Sequence, residues 1–183
     1  MLYEPRDTTK HHKPFLWREV AEEWVKPMLK MLLVVLVINL FLPRYFVEGH
    51  SMEPSFHEND MLVTSAIDVM TDSLERGAVV VLSSPVDGTM VLKRIIGMPG
   101  DTVDIRGGTV YINGEALNEP YINERPTYSG EWVLGADEYF VLGDNRNHSY
   151  DSADYGPVPR DHIRGAVRLR YFPFTQLQYY TTP

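Results

Sequence analysis

The sequence predicts a mainly β protein, an antiparallel sheet or open barrel that follows one N-terminal apolar helix. Three observations carry that prediction. A continuous apolar run, MLLVVLVINLFLP, occupies residues 31–43. Beyond residue 60, short stretches rich in β-branched and aromatic residues alternate with Gly, Pro and Asn turn signals. Outside the apolar run no helical period of useful length occurs.

Composition narrows the function classes. The chain has 183 residues, 44% hydrophobic and 23% charged, enough for one buried core and unlike a disordered chain. A formal net charge of -8 argues against a nucleic-acid partner, which calls for a basic face. Arg160, Arg164, Arg168 and Arg170 cluster, but along a predicted strand and its lead-in, where a solvated or ion-paired face is the simpler reading. The absence of cysteine excludes disulfides and thiolate metal sites. His11-His12 and the His57–Asp60 tetrad are too sparse for a metal, and no cofactor is expected.

The apolar run reads as a membrane anchor. Its uncharged core between Lys30 and Arg44 is only 13 residues. Snorkelling of those two basic side chains extends the usable segment to residues 28–47, about 30 Å at 1.5 Å per residue. Trp24 and Tyr45 then fall near opposite interfaces. No small-x-small cleavage pattern follows. Asn39 is the costly residue in the segment. Lys10, Lys13, Arg18, Lys26 and Lys30 precede it, and Arg44 alone follows closely. The positive-inside rule makes residues 1–27 a cytoplasmic segment, residues 28–47 a single plasma-membrane span and residues 48–183 an extracytoplasmic domain in contact with lipid. The polar stretch 1–23 is expected to be loosely ordered. Ser51 then lies close to the outer membrane surface.

In the exported domain, strands are predicted at 61–65, 78–82, 89–96, 101–105, 109–112, 139–142 and 166–172. Gly107-Gly108 and Asn113-Gly114 mark tight hairpins. Residues 118–137 read as a loop or insertion. These elements suggest a sandwich or open barrel.

Chemistry centres on GHSMEPS, residues 49–55. A serine hydroxyl is a poor nucleophile until a base takes its proton. His50, His57, His148 and His162 are candidate bases, with Asp144, Asp151 and Asp161 as candidate orienting acids. Ser51 lacks the G-x-S-x-G elbow, and His50 would point to the opposite face of a strand. Lys93, inside the apolar strand MVLKRII, is the other candidate. Burial lowers a lysine pKa, and a fall from about 10.4 to about 7–8 needs roughly 4 kcal/mol of differential destabilisation. Alternation alone leaves open whether Lys93 or Arg94 faces the core. The stretch 143–156, GDNRNHSYDSADYG, is dense in turn formers and side-chain hydrogen bonders and matches no calcium loop.

Three blocks, GHSMEPS (49–55), KRIIGMPGD (93–101) and GDNRNHSYDS (143–152), together with the anchor, resemble the type I signal peptidases. The resemblance covers about residues 28–175. It implies a Ser/Lys serine protease that removes signal peptides from preproteins, with Ser51 as nucleophile and Lys93 as general base. Ser149 would hydrogen-bond the Lys93 amine. Asp151, with Asp144 and Asn145, would fix the loop that presents Ser149. Met52, Phe56, Val91 and Leu92 would line shallow pockets for small side chains. Two departures stand out. Ala153 replaces a common arginine that would pair with Asp151, so Arg146 or water is expected to compensate. Gly49 stands where some members have a serine, so the oxyanion hole would rely on backbone N–H groups of Ser51 or Gly49. Two other readings compete, one of them an enzyme. A self-cleaving repressor-type Ser/Lys peptidase shares a related fold, but the anchor and the lack of a basic helix-turn-helix weigh against it. The alternative outside enzymes is a catalytically silent, membrane-tethered β module that binds peptides.

Overall fold

The computed structural model describes Trp17 and residues 21–180. Most of the expected cytoplasmic segment 1–27, with Lys10, Lys13 and Arg18, lies outside the described residues. The chain divides into two compact units, Met1–Val37 and Ile38–Pro183.

In the first unit a π-helical turn, Ala21–Val25, runs into α1, Lys26–Phe41, which ends in the second unit. Together they form a 21-residue helix with mean hydropathy 1.8 over its most apolar window, none of which is buried against protein. Twenty-one residues at 1.5 Å rise is about 30 Å, the thickness of a bilayer's hydrocarbon. The helix ends short of residue 47, where the expected segment 28–47 would end. The helix stops at Phe41 because Pro43 has no N–H and biases the residue before it away from helix. Residues 44–46 leave the helix for a strand, and Tyr45 pairs with Leu62. Asn39 is not left bare, since its Oδ1 accepts from Arg44 Nη2 at 2.8 Å.

The second unit is β-rich and every strand pairing in it is antiparallel. Its strands are β1 (Arg44–Phe46), β2 (Met61–Ser65), β3 (Val79–Ser83), β4 (Met90–Gly97), β5 (Thr102–Arg106), β6 (Thr109–Ile112), β7 (Glu115–Ala116), β8 (Gly130–Val133), β9 (Glu138–Leu142), β10 (Val158–Pro159), β11 (Ile163–Phe172) and β12 (Gln178–Tyr179). The larger sheet runs β1-β2-β11-β3-β4-β9-β10, with β12 added to β11, and the smaller runs β7-β6-β5-β8. Two single-turn helices interrupt them, α2 (Ile67–Met70) and α3 (Ser152–Tyr155). Both predicted hairpins form. Gly107 and Gly108 have φ of 57° and 75°, and Asn113 and Gly114 have φ of 53° and 87°, the left-handed pair that a tight two-residue turn requires.

The stretch 118–137, expected to be a loop or insertion, contains β8. This four-residue strand pairs with β5 and packs Trp132 on Phe140 at 4.7 Å between ring centroids. GEWV is too short for its alternation to stand out from its polar flanks. Three of the four clustered arginines are ion-paired, Arg160 on Asp72, Arg168 on Asp68 and Arg170 on Asp60.

Three apolar clusters fill the unit. One lies beneath β3, β4 and β9, around Val80, Ile95 and Val141. A second joins the smaller sheet to Ile96, Phe140 and Leu142. The third lies under the Ser51 loop and includes Val47, Met52, Phe56, Leu62 and Val79. Gly97 marks the junction between the sheets. A Cβ there would meet Leu134 Cδ1 at 2.6 Å, Val103 Cγ2 at 2.6 Å and Phe140 Cβ at 2.9 Å. Gly97→Ala should therefore overpack this junction and cost about 1–3 kcal/mol, read as a fall in thermal midpoint of roughly 2–4 °C per kcal/mol. An unchanged midpoint would contradict the packing described.

Candidate active site

Ser51 sits in a turn between β1 and β2 and takes its position from the residues around it. Met52 and Phe56 are fully buried in the third cluster, each stabilising the loop by about 1.5–3 kcal/mol of burial. Phe56 N donates to Met52 O at 3.0 Å. From outside the loop, Asn145 N donates to Ser51 O at 3.0 Å and Asn145 Nδ2 to His50 O at 3.1 Å. Arg170 Nη1 donates to Ser55 O at 3.1 Å.

Lys93 projects from β4, with fully buried Val80 as its partner on β3. Its side chain is hydrogen-bonded to Ser51, Nζ to Oγ, at 3.0 Å. The residue is 3% exposed, and among the described residues it forms no salt bridge. Burial holds the amine below its ordinary range, against the opposing pull of the Asp151 and Asp144 carboxylates. Arg94, left undecided by alternation, turns away from Ser51. It donates to both oxygens of Asp144, at 2.7 and 2.5 Å, and to Gly77 O at 2.7 Å.

The histidines are elsewhere. His50 is exposed and bonds Glu53 at 2.9 Å, which raises its pKa; His148 meets Asn145 and His162 meets Ser83 O. None of them is hydrogen-bonded to Ser51.

The segment 143–151 forms the wall behind the pair. Asp151 Oδ2 accepts from Gly143 N at 2.9 Å, and its Oδ1 accepts from Ala153 N at 3.1 Å as the N-cap of α3. Burial raises the Asp151 carboxyl, while these two N–H groups, Ser149 and Lys93 work in the other direction. Ser149 does not bond Lys93 as expected. Its buried hydroxyl makes no well-formed hydrogen bond and lies against Gly143, close enough to Asp151 to help that carboxylate. Arg146 does not compensate for Ala153 either. It pairs with Glu119 and donates from Nε to Gly143 O at 3.1 Å, leaving Asp151 to the backbone N–H groups.

An open groove of about 530 Å³ leads to the pair. One side is residues 44–48 and Ser51, and the other is residues 89–93. Val91 and Leu92 line it. Met52 and Phe56, expected on its walls, are buried in the core instead, because the Glu53–Phe56 turn rolls them inward. Among the described residues β1 pairs only with β2, and β9 covers β4 only from Arg94 onward. Two unpaired strand edges therefore border one groove. Gly49, with φ of +78°, keeps a conformation that a side chain would strain. The Ser51 N–H donates to no described residue.

Gly143 is the residue that motif reading missed. A Cβ there would fall under 3.0 Å from both the Ser51 carbonyl oxygen and Ser149 Oγ. Its signal in the sequence is only a glycine opening a polar loop. Gly143→Ala should displace both serines and lower acylation of Ser51 by a serine-directed reagent roughly a hundredfold. Wild-type labelling by a folded Gly143→Ala variant would show that the close approach is unimportant.

The family model for signal peptidase, peptidase S26, matches residues 21–172. A probable signal peptidase I-2 of Synechocystis sp. is 37% identical over 166 residues, covering 86% of this chain and 74% of the relative. A signal peptidase I of Bacillus licheniformis is 31% identical over 190 residues, covering 97% and 98%. A signal peptidase I of Leptolyngbya laminosa is 38% identical over 141 residues, covering 72% and 70%. With its β-rich unit, its N-terminal apolar helix and more than three quarters of its length under one family model, the chain belongs to the signal peptidase family, peptidase S26.

Proposed function

We propose that this chain is a membrane-anchored serine endopeptidase that removes signal peptides from exported preproteins, with Ser51 as nucleophile and Lys93 as general base. The observation that carries the assignment is the buried, carboxylate-free Lys93 amine hydrogen-bonded to Ser51 Oγ. A neutral amine in that position can take the serine proton, which an ammonium cannot.

The reaction is acyl transfer. Lys93 accepts the Ser51 proton as Oγ attacks the scissile carbonyl carbon. The carbonyl oxygen becomes an oxyanion held by the unengaged Ser51 N–H. Lys93 then protonates the leaving nitrogen, the peptide C–N bond breaks, and the new amino terminus departs. The same amine draws a proton from water for attack on the acyl-enzyme, and Ser51 is restored. Ser149, set against Gly143 and beside Asp151, is proposed as part of the wall behind the amine. Asp151, Asp144 and Asn145 hold the segment that carries it.

The substrate would enter as an extended strand, with small side chains before the cut facing Val91 and Leu92. Residues 21–41 would cross the membrane with the N-terminus cytoplasmic and the β-rich unit outside, in contact with lipid. That topology would bring the groove and a membrane-inserted signal peptide to the same side.

Ser51→Ala and Lys93→Ala should each abolish cleavage of a preprotein with small residues before its cut, with an unchanged melting transition showing an intact fold. A silent peptide-binding module would give no cleavage by wild type and no acylation of Ser51. The sign of the pH dependence follows from Lys93. Its pKa in the folded protein lies below the ordinary 10.5, so the reactive neutral amine is lost as pH falls through that lowered value. The acid limb of kcat/KM should lie below 10.5 and disappear from any residual activity in Lys93→Ala; a limb at the ordinary lysine value would overturn the assignment.

A further inference from the structure

The segment 143–151 has no regular secondary structure before α3, yet it must hold Gly143 between two serines with no room to spare. Much of its external support comes from the stretch that the sequence marks only as a loop. Glu119 grips Arg146 with both oxygens, at 2.6 and 2.9 Å, and the two side chains are 6% and 0% exposed. Burial works against the Arg146 charge, and Glu119 more than offsets it. Arg146 in turn holds Gly143 O. Further along, Asn147 Oδ1 accepts from the N–H and hydroxyl of Thr127, each at 3.0 Å, and Asn147 Nδ2 donates to Arg125 O at 3.1 Å. Between these ties, the Tyr121 ring lies 4.0 Å from the guanidinium of Arg94, the neighbour of Lys93.

We propose that residues 119–127 form a positioning strap for the Ser51–Lys93 pair, with Glu119 as its principal positioning residue, acting through Arg146 on the Gly143 backbone. The proposal rests on the Ser51–Lys93 reading above. Its physical basis is the lack of slack at Gly143. A guanidinium without its counter-charge in a dry site must move or draw in water, and the Gly143 carbonyl moves with it. Gly143 N is bonded to Asp151, and the space of a Cβ on Gly143 is taken by Ser149, so the displacement reaches Ser149 and the Asp151 carboxylate that acts on the Lys93 charge. None of the strap residues named lines the groove, so substrate binding should be spared.

The test uses the full chain in detergent and a preprotein with small residues before its cut. Wild type, Lys93→Ala, Glu119→Gln, Glu119→Asp and Asn147→Ala are compared below their melting transitions. Glu119→Gln should lower kcat about tenfold to a hundredfold with KM nearly unchanged, and should shift the acid limb set by Lys93, which faces Asp151 and Asp144. Glu119→Asp should recover part of the loss. Asn147→Ala, which leaves the buried ion pair intact, should lower kcat less and in the same sense, and it decides the matter if Glu119→Gln does not fold. Unchanged kcat and pH limb in the folded variants would overturn the strap, as would a loss confined to KM. Full activity in Lys93→Ala would instead overturn the Ser51–Lys93 reading and the strap with it, and that result is seen without any strap variant.

Discussion

The constraint on which the site depends is that Lys93 must be buried next to Ser51 with no carboxylate closing on its amine. Two opposite unit charges about 4 Å apart at an effective dielectric near 20 attract by roughly 4 kcal/mol, about 3 pK units. A direct salt bridge would therefore cancel the lowering that burial produces. Two buried aspartates are nevertheless nearby. The fold occupies each of them with something else: Asp144 receives both prongs of Arg94, and Asp151 receives two backbone N–H groups. Adjacent basic residues on β4 thus take opposite parts. Arg94 binds the acid, and the Lys93 amine is left to Ser51 Oγ.

The architecture brings this about from distant parts of the chain. Lys93 comes from a central strand, Ser51 from a turn pinned by two buried apolar side chains, and the wall from an irregular segment after β9. Asn145 joins the last two, donating from its backbone N–H to Ser51 O and from its side-chain Nδ2 to His50 O. Glycine is needed where two of these segments meet, at Gly143, for the same reason as at Gly97: another chain element occupies the space of a side chain. A site assembled in this way tolerates little change in loop backbone even where no residue touches substrate.

Much of this was legible in the sequence, and the exceptions have physical causes. Strands of four or more residues with clear alternation, such as β2 and β6, were predicted at their ends. β8 was missed because four residues between polar flanks leave too little period, and it becomes a strand only by pairing with β5. The apolar helix ends before residue 47, since snorkelling and belt arguments constrain length but not register. Pro43 and the pairing of Arg44–Phe46 with β2 set the true end of the helix. At the site, periodicity offered Lys93 and Arg94 equally, and only the fold distinguishes them. The family resemblance implied that Met52 and Phe56 are pocket walls, but their burial makes them foundations. The reach of Arg146 to Glu119, 27 residues earlier, had no local signature.

The two unpaired strand edges along the groove have a further consequence. A sheet with a vacant strand position recognises a visitor first through its peptide groups, which are the same in every protein. Side-chain demands then fall on the few residues that point into the floor, here toward Val91 and Leu92. Such a reader accepts clients of unrelated sequence, provided that they arrive unfolded and extended and offer little bulk at the right places. Discrimination between cleaved and spared chains would then rest less on a recognised word than on which segments are presented straightened.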